Sequence, residues 1–180
     1  MRVITGSARG RKLLEPEGMA VRPTTDMVKE AMFNIIQFDI EGRRVLDLFA
    51  GTGQLGIEAL SRGAAEAVFV DESAKSLKLV RTNLERCGLK GRVEQADSIG
   101  FLRRAGKFDL VFLDPPYDSD LLEKALEAIQ NVDILNDGGI IVCESRREKT
   151  MPELAPPYRQ TLSRRYGKVC LTCIKRTTDP

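Results

Sequence analysis

From Val45 onward, short apolar runs alternate with segments whose apolar residues recur at helical period, the pattern of βαβ units around a parallel sheet. The runs predict strands over 45–49, 67–71, 92–96, 110–113 and 140–144, with helices over 55–62, 74–87, 98–104 and 119–131 between them. The helix over 74–87 places Leu77, Val80, Leu84 and Cys87 on one stripe suited to packing on a sheet. Two further strands, over 159–165 and 168–175, flank Tyr166-Gly167 and predict a terminal antiparallel hairpin. Upstream, Thr24-Thr25-Asp26 offers N-cap residues to a helix carrying Met27, Val28, Ala31, Met32, Ile35 and Ile36 at helical period. Before that cap, Gly6-Ser7-Ala8-Arg9-Gly10 lies between two small apolar patches and predicts an N-terminal hairpin. The organisation expected is a basic extension over 1–24, one α/β domain over 25–176 and a frayed tail over 177–180.

Composition narrows the class. The chain has 180 residues, 42% apolar and 30% charged, which suits one core and is too apolar for disorder. No apolar run approaches the ~20 residues of a membrane span, and Met1-Arg2-Val3-Ile4 lacks a signal-peptide stretch, so a cytoplasmic protein is expected. Cys87, Cys143, Cys170 and Cys173 sit inside apolar patterns, as buried thiols do in a reducing compartment. Cys170 and Cys173 spell C-x-x-C, but positions i and i+3 of a strand face opposite sides, so they predict no metal site. The absence of histidine excludes imidazole catalysis and most zinc sites.

Charge is uneven along the chain. Residues 1–24 carry five bases and two acids, residues 25–145 carry 14 and 21, and residues 146–180 carry nine and three. Net charges of +3, −7 and +6 therefore follow one another, basic at both ends. Basic ends suit a polyanion surface, because phosphate neutralisation supplies most non-specific nucleic-acid affinity. Arg9, Arg11, Lys12, Arg22, Arg164 and Arg165 are the candidates for that surface; solvated charge is the plainer reading of each.

Candidate chemistry begins at Asp47-Leu48-Phe49-Ala50-Gly51-Thr52-Gly53-Gln54-Leu55-Gly56. It sets G-x-G-x-x-G between a strand and a helix, where a nucleotide-like guest can approach the main chain. Asp71, twenty positions after Gly51, ends the second strand and can accept bonds from ribose hydroxyls; Asp97 ends the third and can receive an adenine amine or cap the next helix. Asp47 would repel a pyrophosphate, whereas S-adenosylmethionine carries no phosphate and two cationic centres. The cofactor set expected is therefore Asp47, Phe49, Gly51, Gly53, Gly56, Asp71 and Asp97. Val70-Asp71-Glu72 leaves open whether Asp71 or Glu72 meets the ribose; strand alternation favours Asp71.

After the fourth strand comes Asp114-Pro115-Pro116-Tyr117. The two prolines cannot continue a ladder, so the Asp114 carboxylate and the Pro115 carbonyl project at the carboxyl edge of the sheet. Two acceptors aimed at one point suit an exocyclic amine, and Tyr117 offers a face for an unstacked base. With the glycine loop, this corner resembles the amino-directed, S-adenosylmethionine-dependent methyltransferases of nucleic acids. The segments from Val3 to Leu13 and from Arg22 to Asn34, with Tyr166-Gly167-Lys168, make the chain similar to the bacterial small-subunit rRNA guanine-N2 methyltransferases of the RsmD family. That resemblance implies a Rossmann-like class I fold, a sheet ordered 3-2-1-4-5-7-6 with strand 7 antiparallel, and N2-methylguanine in 16S rRNA as product. It also implies naked 16S rRNA or an assembling 30S subunit as partner, S-adenosylhomocysteine as the spent donor and no metal; a monomer is expected. Asp114, Pro115, Pro116 and Tyr117 form the expected catalytic corner. Adenine-N6 methylation, hydride transfer with NAD and a catalytically silent RNA-binding module are the alternatives.

Overall fold

The computed structural model describes residues 1–18 and 24–178, with Thr24 and Thr25 described by backbone alone. Helix α1 (Thr24–Ile35) precedes β1 (Arg44–Asp47), α2 (Gln54–Ser61), β2 (Glu66–Asp71), α3 (Ala74–Cys87), β3 (Arg92–Gln95), α4 (Ser98–Arg104) and β4 (Phe108–Leu113). Then come α5 (Leu121–Val132), β5 (Leu135–Arg146), β6 (Tyr158–Tyr166) and β7 (Val169–Arg176). The seven strands form one sheet in the order β3-β2-β1-β4-β5-β7-β6. Strands β1 to β5 pair in parallel and β7 is antiparallel to both its neighbours. The class I architecture and the strand order are those expected from the sequence.

Period-2 alternation divides the core in two. Val45, Phe69, Leu110, Phe112, Ile140 and Val142 point to the side of α1, α2 and α3. Leu46, Val68, Val111, Leu113, Ile141 and Cys143 point to α4 and α5. Helices cover both faces, so the central strands read as unbroken apolar runs. The edges are polar instead: β3 carries Arg92 and Glu94, and β6 exposes Arg159, Gln160, Ser163, Arg164 and Arg165. Such edges discourage pairing with another chain. Among the described residues, no helix is long and apolar enough to cross a membrane.

Between Met1 and Leu13 the chain doubles back on itself: Arg2 and Lys12 form an antiparallel bridge, Val3 N donates to Arg11 O at 2.9 Å and Leu13 N donates to Met1 O at 3.0 Å. The turn is also fastened to α2. Ile4 N and Thr5 N donate to Glu58, Ala8 N donates to Ser61 Oγ, and Val3, Ala8 and Leu13 are buried in the core. Three expectations change. The residues expected to cap α1 form its first turn. Strand β5 begins at Leu135 rather than at 140, since Phe108 pairs with Leu135 across a bulge that no hydrophobic pattern reports. Finally, Thr177 is tied down, its N–H donating to Pro157 O at 2.9 Å.

Candidate active site

Open α/β sheets bind ligands where the strand order reverses, outside the carboxyl ends of the strands. Here that point lies between β1 and β4, and a cavity of about 660 Å³ opens there. Its wall takes Phe49 and Gly51 after β1, Asp71 and Glu72 after β2, Asp97 after β3, Asp114 to Asp118 after β4, and Glu144 and Arg146 from the end of β5. The size lies within the usual range for small-molecule sites, roughly 300–1,000 Å³.

The glycine loop is shaped from below by two carboxylates. Gly51 and Gly53 both take positive φ, 55° and 82°, which a side chain would strain. Asp71 Oδ2 accepts from Gly51 N at 2.9 Å, and its Oδ1 accepts from Ser73 N at 2.9 Å. Asp47 Oδ2 accepts from Gly56 N at 3.0 Å, where a Cβ on Gly56 would stand 2.3 Å from the Phe69 ring. Asp47 is buried behind the cavity wall and holds the loop through Gly56. Burial pushes its carboxyl up to about 7, opposed by the Gly56 bond. Gly53 and Gly56 likewise shape the turn without lining the cavity. Asp97 does two things at once: it caps α4 by accepting from Gly100 N at 2.6 Å, and it lines the cavity.

The Asp-Pro-Pro-Tyr corner is braced by its neighbours. Ser119 Oγ donates to Pro116 O at 2.6 Å, and Tyr117 Oη donates to Glu144 Oε1 at 2.5 Å. The Arg146 guanidinium sits 5.6 Å from the centre of the Tyr117 ring and pairs with Asp118 at 3.0 Å. Tyr117 is therefore half-buried on the cavity wall and not packed beneath a loop. Asp114 stands beside it, half-buried, on the same wall.

Gln54, Glu144 and Arg146 escaped the sequence reading. Glu144 had a signal: it closes a predicted strand at the carboxyl edge, as Asp71 and Asp97 do. Gln54 Oε1 is a buried acceptor that finds no hydrogen-bond partner among the described residues, on the wall of this cavity. An orphaned acceptor calls for a donor from a guest. Six acids and one base, Arg146, line the space, which favours a cationic guest over a pyrophosphate. The residues present thus fit S-adenosylmethionine, whose ammonium, ribose hydroxyls and adenine amine are donors.

Of the basic candidates, Arg9, Arg11, Lys12, Arg164 and Arg165 are exposed, and Arg22 lies outside the described residues. Arg164 lines a groove between α1 and β6 together with Asn34 and Tyr166. Arg165 falls on the other face of β6 by alternation, so the two arginines do not form one patch. The N-terminal segment is linked to the glycine loop through Asn83 of α3: its Nδ2 donates to Leu14 O at 3.1 Å and to Thr52 O at 2.9 Å.

Comparison with known proteins gives the family. Residues 1–175 match the family model described as "Conserved hypothetical protein 95". The chain is similar to "Putative rRNA methyltransferase YlbH" of Bacillus subtilis (strain 168), 41% identical over 98% of this chain and 99% of that one. It is 34% identical to "Ribosomal RNA small subunit methyltransferase D" of Escherichia coli (strain K12), over 98% of this chain and 90% of the relative. Its fold superposes on the solved structure "Putative methyltransferase yhhF from Escherichia coli" with a TM-score of 0.89 at 34% identity, covering 99% of each chain. A family model matching almost every residue, with relatives this similar along their whole length, makes the chain a member of the RsmD family of methyltransferases.

Proposed function

We propose that this protein transfers the methyl group of S-adenosylmethionine to the exocyclic N2 amine of a guanine in 16S rRNA. The observation that carries the reading is the meeting, in one cavity, of the glycine loop, the acidic ends of β2 and β3, and the Asp114-Pro115-Pro116-Tyr117 corner. The names of the relatives point to ribosomal RNA as the substrate class.

Gly51, Gln54, Asp71, Glu72 and Asp97, which line the cavity, would hold the donor, the acids after β2 and β3 accepting from its ribose hydroxyls and adenine amine. When bound, the donor would supply a methyl group on a sulfonium: the amine nitrogen would attack that carbon in line, the carbon–sulfur bond would break with its electron pair going to sulfur, and S-adenosylhomocysteine would leave, with no covalent enzyme intermediate. The lone pair of the amine is delocalised into the ring, so the chain must position the nitrogen and turn it towards tetrahedral geometry. The Asp114 carboxylate and the Pro115 carbonyl do this by accepting its two N–H bonds, and Tyr117 supports the plane of the unstacked base. Orientation of this kind contributes about 7–11 kcal/mol to lowering a barrier in favourable cases. Asp114 then takes up the proton that leaves the amine.

The test is transfer of a labelled methyl group to unmodified 16S rRNA, naked and in partly assembled 30S particles, followed by nucleoside analysis. N2-methylguanosine is the expected product. N6-methyladenosine as the sole product overturns the reading, and hydride transfer to NAD without methyl transfer overturns it in another direction.

A further inference from the structure

The two acceptors at the Asp-Pro-Pro-Tyr corner cannot distinguish guanine from adenine, because each base offers an exocyclic amine. The bases differ one atom along the ring: N1 of guanine carries a hydrogen, while N1 of adenine is a lone-pair acceptor. A third group beside Asp114 must read that atom if the site is to choose.

The sheet puts a carboxylate there. Strands β4 and β5 run parallel with Leu113 opposite Cys143, so Asp114, the first residue past β4, and Glu144, the next residue of β5, lie side by side. Neighbouring strands lie about 4.8 Å apart. By alternation both residues turn to the side of Phe112 and Val142, and both line the cavity. Glu144 is fixed against Tyr117, whose hydroxyl donates to its Oε1 at 2.5 Å, while Arg146 of the same strand lies over the Tyr117 ring. An ionised carboxylate only accepts, and its two oxygens offer about four acceptor positions, so the Tyr117 bond is compatible with a further donor.

Resting on the function proposed above, we infer that Glu144 makes the site specific for guanine: it accepts the N1–H of a base whose amine is held by Asp114 and the Pro115 carbonyl. Adenine in the same pose sets its N1 lone pair against a carboxylate oxygen, with no hydrogen between the two. A site built to bond a substrate N–H rejects an analogue lacking it far more strongly than an apolar pocket does. The Asp-Pro-Pro-Tyr corner thus selects an amine, and Glu144 selects the purine that bears it.

The experiment compares rRNA carrying guanine at the methylated position with rRNA carrying 2-aminopurine there, which keeps the amine but presents a bare N1. Wild-type protein should favour guanine in kcat/KM by at least ~100-fold. In Glu144→Gln, whose amide can donate to N1, that preference should narrow at least ~10-fold, while donor affinity measured by calorimetry stays within about 3-fold. Equal losses on both substrates overturn the inference, as does a wild-type preference below about 3-fold. So does a Tyr117→Phe variant that reproduces the whole loss of preference, since Glu144 would then act only by holding Tyr117. Wild-type protein that forms no N2-methylguanosine overturns the functional reading and this inference with it. Guanine methylated without discrimination overturns this inference alone.

Discussion

Two buried or half-buried aspartates at the ends of adjacent strands do opposite work. Asp114 faces the cavity, where its carboxylate can meet a substrate amine. Asp114→Ala is therefore expected to lower turnover by at least ~100-fold while donor affinity, read by calorimetry, changes little. An active variant would show that another group holds the amine. Asp47 faces the Gly56 N–H from beneath the loop, and burial raises its carboxyl to about 7. A folded-state value above the unfolded one, about 3.9, means that the proton favours the folded chain. This contribution is complete below about pH 4 and is lost as pH rises through about 7. Asp47→Asn keeps an acceptor for Gly56 and removes the titration. Urea unfolding should find the variant at least as stable as wild type at pH 8, with wild type gaining roughly 2–4 kcal/mol on the variant by pH 4.5. A constant difference across that interval would contradict the assignment.

At the scale of elements, the N-terminal segment is clasped to the domain by a buried charge cluster. Glu58 of α2, fully buried, accepts from Ile4 N at 2.8 Å, Thr5 N at 3.0 Å and Arg62 Nε at 2.9 Å. Lys29 of α1 lies 3.6 Å from the same carboxylate and donates to Arg2 O at 2.7 Å; its burial lowers its pKa. Removing one member of a buried cluster strands the others, at a typical cost of about 3–5 kcal/mol. Glu58→Ala should lower the unfolding free energy by about that much and speed tryptic cleavage after Arg9 and Arg11. Unchanged cleavage would mean that Val3, Ala8 and Leu13 hold the segment without the clasp. Because Asn83 joins Leu14 to Thr52, loosening the segment also withdraws a support from the glycine loop.

Over the whole molecule, the basic N-terminal segment and Arg164, but not Arg165, belong to the side of the sheet that α1 covers. Val3, Ala8 and Leu13 pack in the core on the side of α1, and Arg164 lines the groove between α1 and β6. Exchanging Arg9, Arg11 and Arg164 for Gln should weaken RNA binding and flatten its salt dependence by roughly 2 in the log–log slope, about 0.7 per phosphate contact. Binding measured across a salt series decides it, and an unaltered slope would exclude these residues from the RNA surface. How far such features could be read without coordinates depended on range. The glycine loop, the acids at strand ends and the Asp-Pro-Pro-Tyr corner announce themselves because turn geometry and strand alternation are local properties of a few consecutive residues. The start of β5 at Leu135 did not, since pairing with Phe108 across a bulge depends on main-chain bonds and leaves no hydrophobic trace. Asp47 and Asp114 look alike along the chain; only packing sends one under the loop and the other into the cavity. Glu144 acquires meaning through register with a strand 30 residues away, and Glu58 through contact with residues more than 50 positions earlier. Local composition thus specified the elements and their chemical inventory, while the partners of each charged group were chosen by long-range juxtaposition, which no spacing along the chain encodes.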